Sequence, residues 1–426
     1  MSKSVTVSIH NVSFGCIIEV TDIAHEQYQV KKGENYMRNI IFLGLISFFM
    51  DISSEMVYPI IPLYLTSAFG ATPAIVGIIE GIAESTASLL KVFSGYITDK
   101  YKKKKPIAFV GYATGMVYKF ALLFASSWAG ILVARVVDRL GKGIRTAPRD
   151  VMVSESADKN AMGKSFGVHK ALDMAGSAIG ILLSFFLLRQ LGNSQAEYKM
   201  VFALSLIPTV LALLMFVFVK EKKEEREVKK REHFWKHISA LDRRLKLYLV
   251  VVFLFTLGNS SNSFLLLRAK SAGFDDISVI LLYFLYNMTV SVLSVPFGKL
   301  SDRIGRKQVL TAGYFLFSAV YMGFAFATKA ESFIVIFGVY GIFTAMTAGV
   351  ERALIAEISP AELKGTMLGL QSTIAGIALL PASVICGLLW DNFGSAVPFV
   401  FGAGMSAIAA VLLLLFFRTS SSEVEE

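Results

Sequence analysis

The stretch FALSLIPTVLALLMFVFV, residues 202–219, contains no charged residue. An α-helix needs about 20 mostly apolar residues to cross the roughly 30 Å hydrocarbon core of a membrane, so this stretch is typical of a transmembrane helix. Similar apolar blocks recur along the 426-residue chain, in which 54% of the residues are hydrophobic and only 17% are charged. Soluble chains carry about 25% charged residues. The sequence therefore predicts an all-α integral membrane protein.

Counting apolar blocks outward from this stretch predicts twelve transmembrane helices. Their expected bounds are about 39–66, 72–99, 106–126, 128–151, 162–188, 197–219, 246–268, 277–301, 308–327, 332–355, 365–389 and 395–417. A highly charged segment, residues 220–245, separates the sixth helix from the seventh, and we expect it to be a cytoplasmic linker between two six-helix bundles, residues 37–219 and 246–418. Residues 1–36 and 419–426 are expected to form an N-terminal extension and a C-terminal tail.

The basic residues predict the orientation of these helices. The connections DKYKKKKP (99–106) and DRIGRKQ (302–308) are rich in lysine and arginine, whereas SAFGATPA and DNFGSAVP contain neither. Because cytoplasmic loops carry an excess of these residues, we expect both termini and the linker to lie in the cytoplasm. We expect the protein to be a multi-pass protein of the plasma or inner membrane of the cell. The first 36 residues lack the apolar core of a signal peptide, and Met37 fits equally well as the first residue.

The composition argues against several other classes of function. The net charge of +10 lies in short loops between spans, so it serves orientation and does not indicate a nucleic-acid partner. Two cysteines are too few for a disulfide framework or a cysteine metal centre. GKSFG (163–167) matches a nucleophile pattern but lacks the strand–turn–helix context of that enzyme motif. We expect a monomer without metal, cofactor or enzyme activity, whose partners are lipids, protons and a small-molecule substrate.

Several landmarks recur in the two halves of the chain at nearly one spacing. Gly95 and Asp99 are repeated 203 residues later by Gly298 and Asp302. The pairs of segments DVMVSE and RALIAE, and GKSFG and GTMLG, are each 202 residues apart. This spacing predicts two copies of a six-helix unit around a central cavity, with a substrate site near the middle of the membrane between the copies.

The repeated loops GYITDKYKKKK (95–105) and GKLSDRIGRK (298–307) resemble the signature loop of the major facilitator superfamily. The second loop fits the family pattern fully, whereas the first has Lys102 where a glycine is expected. The resemblance implies a secondary transporter that works by alternating access, in which the loop aspartate latches one conformation on the cytoplasmic side. The residues expected at this gate are Gly95, Asp99, Arg145, Arg149, Gly298, Asp302, Arg303 and Arg306.

The fourth predicted span contains charges that lipid would not tolerate. Asp138, Lys142 and Arg145 share one face of a helix, and a charge at the membrane centre costs at least about 2.5–3.5 kcal/mol when it faces lipid. The face must therefore meet water or carboxylates, which spans 1, 2 and 5 supply one turn apart. The predicted proton-coupling and substrate residues of this half are Asp51, Glu55, Glu80, Glu84, Arg135, Asp138, Arg139, His169 and Asp173. The alternative is that these groups only neutralise one another and fix helix packing.

RLGKGIRTA (139–147) also resembles the span-4 pattern of the same family, in which the arginine is linked to proton coupling in exporters. Three glycines of the fifth span, Gly167, Gly176 and Gly180, partly match the glycine-rich motif of the family's antiporters. The second half carries much less charge within its spans. Its candidate substrate residues are the neutral side chains Asn259, Asn262, Tyr283, Asn287 and Gln371.

These features favour proton-coupled efflux of a small organic molecule. The alternative is proton-coupled uptake of a small polar or anionic solute, with Arg135 and Arg139 as anion ligands, and a third class is a receptor or scaffold that transports nothing. A strongly basic cavity would favour anion uptake, whereas a cavity whose charges cancel would favour proton-driven efflux.

Overall fold

The computed structural model describes residues 38–101, 103–156, 162–192, 194–221, 243–359 and 364–416, which are almost entirely helical and contain no strand. The predicted N-terminal extension, most of the predicted linker and the predicted tail lie outside the described residues. The side chains of residues 91–102, Asp99 among them, are also outside this description.

The helical spans follow the predicted bounds within a few residues. They are α1 (38–57 and Ile60–Phe69), α2 (Pro73–Tyr101), α3 (Lys104–Phe124), α4 (Trp128–Glu155), α5 (Met162–Leu191), α6 (Gln195–Leu204 and Leu206–Met215), α7 (Arg243–Gly258 and Ser263–Ser271), α8 (Asp276–Ile304), α9 (Arg306–Phe326), α10 (Ala330–Thr347 and Val350–Ile358), α11 (Lys364–Phe393) and α12 (Val397–Phe416). In the described residues, eleven spans are long and apolar enough to cross a membrane, and α4 is not among them because it carries the charged stripe.

The two halves form two bundles, α1–α6 and α7–α12, that meet through repeat-related pairs of helices. α2 packs along α11, and α5 packs against α8. We call the face of the molecule on which α6 ends and α7 begins the linker side, and the opposite face the far side. The connections after α2 and after α8, which carry the repeated loops, lie on the linker side.

Small residues allow α2 and α11 to approach closely. A Cβ atom added to Gly387 would lie 2.6 Å from the Cα atom of Ala74, and one added to Gly376 would lie 2.6 Å from the Cβ atom of Ser88. Within lipid, helices associate through such close backbone packing because no hydrophobic force drives them together. In the same way, Gly176 and Gly180 of α5 pack directly against the backbone of α1.

Both α1 and α7 are interrupted near their centres, at equivalent positions of the repeat. α1 breaks at Tyr58 and Pro59, since proline has no N–H to donate, and α7 breaks at residues 259–262, where asparagine and serine compete for backbone hydrogen bonds. Interrupted backbone inside a membrane must find partners in neighbouring helices or line a cavity. The breaks therefore place polar groups at the centre of the molecule, between the bundles.

The close packing of α2 on α11 predicts the effect of a larger residue there. We expect Gly387→Val to lower the melting temperature of the purified protein, because overpacking of a tight contact typically costs about 1–3 kcal/mol. Gly404→Val is the matched control, since a Cβ atom added to Gly404 meets nothing within 4 Å. Equal melting temperatures for the two variants would contradict the close contact.

Candidate functional site

Among the residues that the structure describes, the ion pair with the least exposed side chains joins α2 to α4. The Nε and Nη2 atoms of Arg135 donate hydrogen bonds to the two carboxylate oxygens of Glu80, at 3.0 and 2.7 Å, and both side chains are almost fully buried. Ser261, in the break of α7, donates to the same carboxylate at 3.1 Å. The guanidinium of Arg135 also lies 5.4 Å from the ring centre of Tyr58. Residues of both bundles therefore surround this pair.

The pair continues into a chain of alternating charges along α4. Arg139 bonds Glu84 at 2.7 Å, and a carboxylate oxygen of Asp138 lies 3.8 Å from Arg135 and 3.9 Å from Arg139. Arg–carboxylate contacts of this kind are strong when water is excluded. The sequence predicted that the charged face of this span meets water or carboxylates, and the structure places two carboxylates of α2 against its arginines.

Lys119 of α3 brings a third positive charge to this chain. Its side chain is fully buried against the ring of Tyr118, at 4.8 Å, and its ammonium has no hydrogen-bond partner among the described residues. Asp138 is the carboxylate that attracts it most strongly. Lys119, Arg135 and Arg139 thus balance Glu80, Glu84 and Asp138, and Lys142 and Arg145 of α4 add two positive charges within electrostatic reach of these six residues.

A second acidic site lies between α1 and α5. The carboxyl groups of Asp51 and Asp173 lie close enough to share a hydrogen bond, and Lys170 contacts Asp173 at 3.0 Å. Gly176 and Gly180 bring α5 against α1 and so set this distance. The sequence named both aspartates but not their contact, because it showed only which residues share a helix.

His169 lies one turn before Asp173 on α5 and makes a hydrogen bond of its own. Its Nε2 atom lies 3.1 Å from the hydroxyl of Ser47, which lies 3.1 Å from the hydroxyl of Tyr112 and 3.5 Å from Arg149. The side chain of His169 is buried. These contacts give the histidine a satisfied hydrogen bond within the first bundle.

The neutral substrate residues predicted in the second bundle lie on three different helices, α7, α8 and α11. Tyr283 donates to Glu55 of α1 at 3.2 Å, which joins the bundles. Asn262 accepts from Tyr340 at 2.9 Å, while Asn287 donates to the carbonyl of Tyr283 in its own helix. Two further candidates remain without a described role: Asn259 is partly buried in the break of α7, and Gln371 is buried on α11.

The loop between α8 and α9 forms part of the predicted gate. Arg306 contacts Asp302 at 3.4 Å and Glu357 at 2.9 Å, so it joins the loop to the linker-side end of α10. Gly305 has a φ of 101°, which favours glycine and explains this residue in the motif. The repeat-equivalent pair in the first bundle, Lys104 and Glu155, is also in contact.

The other predicted gate residues have different surroundings. Arg145 is buried and stacks on Tyr112 at 4.7 Å, and Arg149 pairs with Asp150 at 2.9 Å. Arg303 is exposed, and Gly298 faces open space. Gly95 lies within α2, and the contacts of Gly95 and Asp99 lie outside the described residues.

Two charged residues of the second bundle were not among the site residues predicted from the sequence. Glu351, in the first turn of the second segment of α10, accepts a hydrogen bond from Tyr314 at 3.1 Å. Arg268 binds the carbonyls of Phe324 and Ala327 at the end of α9, at 2.8 and 3.0 Å, which is a structural role. The signal for Glu351 was its repeat equivalence to Arg149, 202 residues earlier. Glu351 is therefore an acidic group of the second half that the sequence reasoning did not name.

Comparisons with known proteins agree with this architecture. The Major Facilitator Superfamily profile matches residues 43–275 and 247–426. An uncharacterised transporter of this type from Methanocaldococcus jannaschii is 37% identical over 398 residues, which cover 91% of this chain and 98% of the relative. A class H tetracycline resistance protein from Pasteurella multocida is 30% identical over 131 residues, 30% of this chain and 32% of its own length.

The fold is similar to that of solved transporters. The crystal structure of an aspartate-to-alanine mutant of the nucleoside transporter NupG superimposes with a TM-score of 0.76 and 12% identity, over 89% of this chain and 100% of that chain. The profile covers both halves, the archaeal relative covers nearly the whole chain, and the paired six-helix bundles agree with both. The chain therefore belongs to the major facilitator superfamily, a family of membrane transporters and not of enzymes.

Proposed function

We propose that the protein exports a small organic molecule across the cell membrane by alternating access, in exchange for protons, with its linker side in the cytoplasm. The observation that carries this proposal is the contact between Asp51 and Asp173 beside a cluster in which Arg135 and Arg139 are paired with carboxylates. Two carboxylates at such a distance cannot both be ionised without a large repulsion, so they hold one proton between them. Rearrangement of α1 against α5 changes that distance and releases or admits the proton.

The pairing of Arg135 and Arg139 also favours export over the uptake of an anion that these two arginines would bind. Glu80 binds Arg135 through both oxygens, and Glu84 binds Arg139. An incoming anion would have to displace a carboxylate from each. The similarity to a tetracycline resistance protein fits an exported organic molecule.

Neutralising either aspartate of the pair should uncouple transport from the proton gradient. We expect Asp51→Asn and Asp173→Asn each to abolish accumulation driven by a pH gradient while substrate exchange without a gradient continues, because the amide cannot release a proton. The measurement is uptake of compounds from a substrate screen into everted vesicles, with and without the gradient.

The matched control for these variants is Asp275→Asn. Asp275 is exposed on the far side and caps α8 through the N–H of Ser278, a role that asparagine can also fill. Wild-type pH dependence in both Asp51→Asn and Asp173→Asn would show that the proton site is elsewhere.

The two arginine pairs should differ in their contribution to stability. We expect Glu80→Gln to lower the free energy of unfolding by about 3–5 kcal/mol, because it removes the carboxylate that binds the buried guanidinium of Arg135 through both oxygens and leaves only the more distant Asp138, at 3.8 Å, as its counter-ion. Glu84→Gln should cost clearly less, since the side chain of Glu84 is 29% exposed. Unfolding of both purified variants in mild detergent measures the difference, and equal losses would contradict it.

The contact of Arg306 with both Asp302 and Glu357 supports a gate on the linker side. We expect Asp302→Asn to reduce the turnover of transport several-fold without lowering the amount of folded protein in the membrane, because the latch holds one conformation of the cycle. Arg189→Gln, which changes an exposed charge at the far-side end of α5, is the control. Normal turnover of transport in the double variant Asp99→Asn/Asp302→Asn would contradict the latch hypothesis.

A further inference from the structure

A carboxyl group on α10 has its described partners entirely within the second bundle. The side chain of Glu351 accepts a hydrogen bond from the hydroxyl of Tyr314 on α9 at 3.1 Å, and its backbone carbonyl accepts one from the hydroxyl of Tyr248 on α7, also at 3.1 Å. Both tyrosines are fully buried, whereas Glu351 is partly buried. Three helices of one bundle therefore surround this carboxyl group.

The surroundings of Glu351 contain no paired cation in the part of the chain that the structure describes. The part of α11 at this level, residues 367–381, has no titratable side chain. The basic side chains on the neighbouring turns of α7 and α10 are exposed: Arg244, Lys246 and Arg352. An ionised carboxylate that is shielded from water and lacks a counter-ion is unfavourable, so the neutral form of Glu351 fits these surroundings.

The helical segment that carries Glu351 also carries the contacts of the gate. Arg306 donates to the carbonyl of Ala353 at 3.1 Å and to the carboxylate of Glu357 at 2.9 Å. Both partners lie on the segment Val350–Ile358, which a turn at residues 348–349 separates from the rest of α10. A Cβ atom added to Gly349 meets nothing within 4 Å, so close packing does not hold this turn. A movement of the segment therefore moves the partners of Arg306.

We propose that Glu351 is a regulatory proton-binding site that adjusts the linker-side gate to the pH on that side. With its proton, the carboxyl group stays against Tyr314, and the segment holds Ala353 and Glu357 at Arg306. Without the proton, the carboxylate gains more from water than from its surroundings, so the segment moves away from α9 and releases Arg306. The segment is thus held at low pH and released as the pH rises.

This inference goes beyond the proposed function and rests on its gate and its direction. Export in exchange for protons brings protons to the linker side. A fall in pH on that side then holds the segment, latches the gate and slows the cycle, so the site limits the acidification that transport causes. The proton that crosses the membrane belongs to Asp51 and Asp173 in the other bundle.

The test measures hydrogen–deuterium exchange of the full chain in lipid nanodiscs and needs no substrate. After correction for the intrinsic rate of amide exchange, residues 350–358 of the wild type should exchange about tenfold faster at pH 8.5 than at pH 6. Glu351→Gln, which is neutral at every pH, should exchange slowly at both. Glu331→Gln, at an exposed carboxylate in the far-side turn of the same helix, should match the wild type.

Tyr314→Phe distinguishes proton binding from a purely structural role. The variant keeps the ring that stacks on Phe255 at 4.0 Å but loses the hydroxyl that donates to Glu351. Because this donor favours the ionised carboxylate, its loss should move the increase in exchange to higher pH. Faster exchange at every pH, without such a shift, would contradict the inference.

Exchange of residues 350–358 that is independent of pH in the wild type, or the wild-type pH dependence in a folded Glu351→Gln protein, overturns the inference. Asp51→Asn should leave this dependence unchanged. If Asp51→Asn and Asp173→Asn keep gradient-driven transport while exchange still depends on Glu351, the proposed coupling fails and the regulatory site stands. If those variants lose gradient-driven transport while exchange ignores pH, the regulatory site fails and the export function stands.

Discussion

The pairing of charges inside the membrane is the constraint on which the rest of the structure depends. α4 is too charged to be stable against lipid, so it must be surrounded by other helices. Glu80 and Glu84 of α2 pair with Arg135 and Arg139 of α4. Gly143 of α4 packs against Leu90 of α2. Because Ser261 also reaches Glu80, the break of α7 is tied to the charged cluster. The position of one helix thus determines those of its neighbours and of the opposite bundle.

The sequence predicts the features that depend on the chain alone, but not those that depend on how closely helices pack. Apolar length and repeat spacing predict the spans and the two bundles, since both are properties of the chain alone. The choice of partner is different: the contact of Asp51 with Asp173 depends on how closely Gly176 lets α5 approach α1. Glu351 was missed because one carboxylate close to a predicted helix end looks like an ordinary boundary residue. Helical periodicity shows which residues lie on the same face of a helix, but not which other helix that face contacts.

The breaks of α1 and α7 link stability to function. A continuous helix satisfies its own backbone, whereas a break leaves donors and acceptors that need partners from other helices. Here Ser260 contacts Cys386 at 3.3 Å and Ser261 contacts Glu80, so the break in α7 is held by α11 and α2. Contacts of this kind can be exchanged without unfolding a helix. The interrupted segments are therefore where a substrate or a proton can change the fit between the bundles at the smallest cost.

Equivalent positions of the two repeats carry charged side chains in the first bundle and neutral side chains in the second. At the spacings of the repeated landmarks, Glu80 of α2 corresponds to Tyr283 of α8, and Asp138 of α4 corresponds to Tyr340 of α10. Two acids of the charged cluster in the first bundle and two tyrosines of the second thus occupy equivalent positions. A neutral, hydrogen-bonding wall costs little to expose when the bundles separate, whereas unpaired charges would be expensive. Keeping the ion pairs within one bundle means that alternating access need not break them, and only weaker contacts, such as Tyr283 with Glu55, must open and close.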